Sequence, residues 1–190
     1  LVPVAWLAAI AAGLYGAYVP TVVHYQVKID KPLAQPLRIA LVSDTHLGRF
    51  IGARHLRELQ TILKRERADV LLLAGDVMDD VPTMYRKQHM ARLMSGLKTP
   101  LGQYAVLGNH DNYGGEQQGI VKDLQAAGFT TLRDEHTTVN QQFVLVGRRD
   151  KVENRASAAQ VIPKSDLPVI VMDHQPADMV AIANTHADLV

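Results

Sequence analysis

Four apolar runs of strand length each lead directly into a short segment rich in Asp, His or Asn. The runs are residues 37–42, 70–74, 104–107 and 169–172. The segments are Asp44-Thr45-His46, Gly75-Asp76-Val77-Met78-Asp79, Gly108-Asn109-His110-Asp111 and Asp173-His174. Between the first three runs lie helical faces: Leu56, Leu59, Ile62 and Leu63, then Met90, Leu93, Met94 and Leu97. Ile120, Val121, Leu124 and Ala127 form another, closed by Gly128 as a C-cap. Residues 143–146 read as a further strand, Pro176 opens a helix over 177–183 with Asn184 as its stop, and 187–190 begin one more strand. Strands alternating with helices predict an α/β fold. In an open α/β sheet, ligands bind at the carboxyl ends of the strands, where all four polar segments fall.

Composition narrows the chemistry. At 190 residues the chain is long enough for one domain with a proper core. Its 20 Lys and Arg nearly balance 19 Asp and Glu, so no nucleic-acid surface is expected. The clusters at 64–67 and Arg148-Arg149-Asp150 mix charges and read as solvated faces. Cysteine is absent, which excludes disulfides and thiolate sites and leaves His, Asp and Asn as metal ligands.

Residues 1–23 carry no charged side chain. About 20 helical residues cross a hydrocarbon core. Ala5, Ala9, Gly13 and Ala17 form a small-residue face, and Tyr15 and Tyr18 suit a membrane interface. A signal-peptide segment and a buried core helix are the alternatives. The stretch predicts a membrane-anchoring helix over 1–20, ended by Pro20, with the folded domain over 21–190. Alternation of Val23, Tyr25, Val27 and Ile29 with polar residues predicts a half-buried strand at once after it. Lys28, Lys31 and Arg38 lean toward a cytoplasmic flank without deciding the side.

Each polar segment alone is a weak signal, since Asp, Asn and Gly are also turn and capping residues. Together, at strand ends in one polarity, they make a nitrogen and oxygen site suited to a pair of metal ions. Gly114 and Gly115 either let backbone amides approach a phosphate or simply connect two elements. His24, His55, His89, His136 and His186 match no motif and read as surface or packing residues.

On these residues the chain resembles calcineurin-like metallophosphoesterases, with their ordered D-x-H, G-D-x-x-D, G-N-H-D/E and single-His elements. The resemblance implies a four-layer α/β/β/α sandwich and two divalent or trivalent ions such as Mn, Fe or Zn. Asp44 and His46 would bind the first ion, Asp76 would bridge both, and Asn109 and His174 would bind the second. His110 would be the general acid, with Asp111 orienting its imidazole; a turn cap is the alternative for Asp111. Asp79 would shape the loop without ligating. The implied reaction is phosphoester hydrolysis by a metal-activated hydroxide.

The apolar start and residues 171–176 are similar, more narrowly, to the bacterial membrane-anchored branch. That likeness implies a place at the cytoplasmic membrane and a substrate that could be lipid-linked. Rival readings are a pyrophosphatase of lipid- or nucleotide-linked diphosphates, and a degenerate, non-catalytic metal-binding membrane protein. The family's closing G-H-x-H does not occur within the 190 residues. It is expected after Val190, the domain being incomplete at its C-terminus.

Overall fold

The computed structural model describes residues 2–190; Leu1, the first residue of the expected helix over 1–20, lies outside the described residues. Four strands, β1 (Ile39–Val42), β2 (Val70–Ala74), β3 (Gln103–Val106) and β4 (Thr130–Thr131), form a fully parallel sheet in that order. Parallel neighbours need crossovers, and helices supply them. α2 (Ala53–Glu66) joins β1 to β2, the short α3 (Thr83–Lys87) and α4 (Ala91–Met94) join β2 to β3, and α5 (His110–Tyr113) and α6 (Gln117–Ala126) join β3 to β4. In the second sheet, β5 (Glu135–Val139) runs antiparallel to β6 (Phe143–Gly147), which runs parallel to β7 (Val169–Met172).

The period of two along each strand sorts the side chains. Leu71 and Leu73 of β2 and Ala105 of β3 bury against Leu56, Leu63, Met94, Ile120 and Leu124 of the helices. Val70 and Leu72 point the other way, into a cluster with Val106 and with Phe143, Leu145, Ile170 and Met172 of the second sheet. Val144, Val146, Val169 and Val171 pack on α7 (Ala158–Val161) and α8 (Met179–Ala183) through Ala158, Val161 and Ile182. Each Leu, Val or Phe fully withdrawn from water contributes about 1.5–3 kcal/mol.

Several expectations are corrected. The apolar N-terminal segment does form a helix, α1 (Val2–Tyr18), but it has 17 residues, and no helix among the described residues is long and apolar enough to cross a membrane. Residues 23–29 are not a strand: their backbone joins no sheet, and Val23, Tyr25 and Val27 stay exposed, because alternation without a partner strand leaves the backbone ladder unmade. Of the face over 90–97, Met90, Met94 and Leu97 are buried and Leu93 partly so, but the helix itself is only the four-residue α4. The helix expected over 177–183 starts as a single 3-10 turn, Pro176–Asp178, before α8. The strand expected over 187–190 amounts to one parallel bridge, Leu189 to Ile170. Arg148 and Asp150 are not solvated but fully buried.

The β5–β6 hairpin had no conspicuous sequence signal. Asn140 and Gln141 both adopt positive φ, 46° and 58°, in a tight turn where glycine is usual at the second position.

Candidate metal centre

Because β1, β2 and β3 are parallel, their carboxyl ends share one rim, and β7 brings His174 to the same place. The loop after β1 is laid along the loop after β2 by backbone bonds: Asp44 N–H donates to Gly75 O (3.1 Å), His46 N–H to Asp76 O and Leu47 N–H to Val77 O (both 2.9 Å). This path forces left-handed backbone at Asp44 (φ 55°), His46 (φ 40°) and Asp76 (φ 49°). Non-glycine residues held there cost on the order of 1 kcal/mol or more, and such strain clusters at functional sites.

Asp76 is the hub. Its side chain is almost wholly buried, and Oδ1 accepts the His110 backbone N–H at 2.9 Å. Oδ2 lies 3.7 Å from His46 Nε2 on one side and 3.4 Å from His174 Nε2 on the other. Asp44 Oδ1 stands 3.9 Å from the same His46 nitrogen, and Asn109 Oδ1 stands 3.2 Å from His174 Nε2. The five residues therefore form two halves around one carboxylate. Asp44 and His46 make the open half; Asn109 and the 7 % exposed His174 side chain make the enclosed one.

In the open half, Asp44, His46 and Asp76 stand together as a candidate metal-binding group. The 3.7 and 3.9 Å separations are too long for hydrogen bonds. They approach the spacing of about 3–3.5 Å between donors that share one ion at about 2.0–2.2 Å. The hub is also cradled by missing Cβ atoms. A Cβ on Gly75, where φ is +94°, would stand 2.5 Å from His174 Nδ1, and one on Gly108 would stand 2.5 Å from Asp76 N. The donor set of imidazole, carboxylate and amide oxygen suits Zn, Mn or Fe. His174 is oriented from behind, with Nδ1 2.8 Å from Ala74 O, which leaves Nε2 free to face the centre.

Asp111 sits elsewhere than expected. It is fully buried, and its carboxylate accepts three backbone amides: Met78 (2.9 Å), Gly108 (2.9 Å) and Val77 (3.1 Å). It ties the β2 and β3 loops together, close to the turn-capping alternative. Burial pushes its carboxyl above the ordinary range, opposed by those three amides. His110 instead places Nδ1 3.0 Å from Oδ1 of Asp80, a residue the motif reading passed over because it lies one position beyond G-D-x-x-D. The His110 ring meets the His46 ring edge-on at 4.8 Å, so it borders the open half. Asp79 Oδ1 lies 3.8 Å from His46 Nδ1, and His46, Asp79 and His110 can each bring one donor atom within 4.8 Å of the others. Gln175 was also missed; it donates to Asn109 Oδ1 at 2.9 Å. Asp173 faces away from the centre, toward Arg148 and Arg155.

A family model described as calcineurin-like phosphoesterase matches residues 37–188. An uncharacterized metallophosphoesterase of Aquifex aeolicus is 29% identical, over 94% of this chain and 75% of its own length. A transmembrane protein with metallophosphoesterase domain from Danio rerio is 26% identical over 83% of this chain. An uncharacterized metallophosphoesterase of Bacillus subtilis is 29% identical over 54% of it. The chain spans only 39% and 36% of the length of those last two relatives.

Proposed function

The chain belongs to the calcineurin-like phosphoesterase family, hydrolases acting on phosphoester bonds, and on that premise we propose that Asp44, His46, Asp76, Asn109 and His174 hold two metal ions that serve this hydrolysis. The observation that carries the reading is the position of Asp76 Oδ2, 3.7 Å from His46 Nε2 and 3.4 Å from His174 Nε2. The three apolar clusters support the family's α/β/β/α layering.

Two divalent ions held there would polarise the phosphoryl group and acidify a water for in-line attack. The chain's own residues do the rest. Asp44 and Asp76 offset only part of the cationic charge, and Asn109 ligates without offsetting any, so the centre stays attractive to a phosphoester anion. His110, on the open rim, gives a proton from Nε2 to the leaving oxygen, while Asp80 at Nδ1 fixes the orientation of the ring. The test is metal titration with hydrolysis of an aryl phosphodiester. Asp76→Asn should lower the content of both ions and abolish turnover. Unchanged metal content in that variant would remove the bridging role.

A second reading concerns α1. Trp6, Leu7, Ile10 and Leu14 are all more than half exposed on a helix with no charged residue. Exposed apolar surface of that extent seeks a bilayer or a partner. We propose that α1 engages a membrane and that the substrate is a lipid-linked phosphoester presented there. Flotation with anionic and neutral vesicles should carry the protein in both cases, resistant to salt. Loss of flotation in high salt, or none at all, counts against it.

A further inference from the structure

On the side of the β7 loop facing away from the metal centre lies a cluster of two arginines and two aspartates, buried except at Asp178. The segment after β6 supplies Arg148 and Arg155; the loop that carries His174 supplies Asp173 and Asp178. Arg155 spans the two ends of that loop: Nη1 reaches Asp173 Oδ1 at 3.2 Å, and Nη2 reaches Asp178 Oδ2 at 2.7 Å. Arg148, whose side chain is fully buried, adds Nη1 contacts to both carboxylates (3.4 and 3.3 Å) and donates from Nη2 to Ala156 O at 3.0 Å.

Such a cluster is a poor device for stability alone, since apolar residues of similar volume would serve as well or better. What a guanidinium fork does provide is fixed direction, because two parallel donors define both position and plane. The direction matters here. Asp173 and His174 are adjacent, and with Asp173 locked toward the arginines, His174 is turned toward Asp76 and Asn109. Gln175, inside the same clamped loop, donates to Asn109 Oδ1 at 2.9 Å and fixes the amide that would share the second ion. The clamp thus controls both donors of the enclosed half and touches neither donor of the open half.

We infer that Arg155, together with Arg148, is a positioning residue that sets the affinity of the His174–Asn109 half for its metal ion, while the Asp44–His46 half is independent of it. The inference rests on the two-ion reading above.

The test is calorimetric titration of the full chain with Mn²⁺, and with Co²⁺ followed by its visible absorption, in the metal-free protein and three variants. His174→Ala is the control for the two-ion reading and should lose one of two binding events. Arg155→Gln should leave unchanged the event that survives in His174→Ala, weaken the other by at least tenfold, and alter the spectrum of that ion alone. Asp178→Asn, at a half-exposed end of the clamp, should do the same more weakly and decides the matter if Arg155→Gln does not fold. Wild-type affinities at both halves in the folded clamp variants, or equal weakening of both halves, would overturn the clamp. A His174→Ala protein that still binds two ions normally would overturn the two-ion reading instead, and the inference with it.

Discussion

His110 Nδ1 lies 3.0 Å from Oδ1 of Asp80, 30 positions earlier in the chain, while the carboxylate of its own neighbour Asp111 is turned into the core. The imidazole on the open rim is thus oriented by a half-exposed carboxylate from the β2 loop. Orientation of the imidazole and loop architecture are divided between two different aspartates.

For the proton-transfer role, His110→Ala should slow hydrolysis by roughly 10²–10⁴-fold, with less effect on a good leaving group such as nitrophenol. Asp80→Asn should give a smaller loss, because the imidazole loses the carboxylate that fixes its orientation and tautomer. Both variants should retain their metals by elemental analysis. Metal loss in His110→Ala would make the residue a ligand or a structural element.

Asp111→Ala should act through folding. Three backbone amides would lose their buried acceptor, each orphaned donor costing about 1–3 kcal/mol. A lower urea midpoint with an unchanged m-value is the expected signature. Asp111→Asn, which retains one acceptor oxygen, should lie between it and the wild type. A wild-type midpoint in Asp111→Ala would show that water satisfies those amides.

Gly75→Ala places a methyl group 2.5 Å from His174 Nδ1 at a φ of +94°. Both the left-handed backbone and the collision disfavour it. The variant should lose about 1 kcal/mol or more of stability and bind the enclosed-half ion more weakly. Gly115→Ala, at φ +70° with open space around it, controls for the backbone cost alone. Equal metal binding by the two variants would show that the cradle does not matter.

The Arg155 guanidinium beside Asp178 holds that carboxyl below its ordinary range; partial burial opposes the effect and Arg148 adds to it. A depressed folded-state pKa means the unfolded chain takes up the proton first as pH falls. The stabilisation is therefore complete above the ordinary value of about 4 and is lost as pH drops through the lower folded value. Melting temperature should decline less steeply below pH 4 in Asp178→Asn than in the wild type. Parallel curves would mean that the pairing is screened away by solvent.

Residues 70–74 and 169–172 could be read directly from the sequence, because a strand buried on both faces leaves an unbroken apolar run. The face of α2 was equally plain, since a 3.6-residue period needs no partner to be visible. The gathering of Asp44, His46, Asp76, Asn109 and His174 was also legible: parallel strands deliver their carboxyl ends to one rim whatever the details of packing.

Only the tertiary structure decided which carboxylate faces which base. Asp80 and Asp111 are both short acids beside a conspicuous motif. The left-handed turn at Asp80, φ 57°, sends one to His110, while three loop amides claim the other. The burial of Arg148 follows from Asp173 and Asp178, which lie far along the chain, so local charge mixing pointed to solvent. Residues 23–29 carry the alternation of a strand yet form none, and Asn140-Gln141 turn a hairpin without the usual glycine. Periodicity records which face of an element is apolar. Whether a neighbouring backbone or counter-charge stands opposite is set by non-local packing, which short sequence windows do not contain.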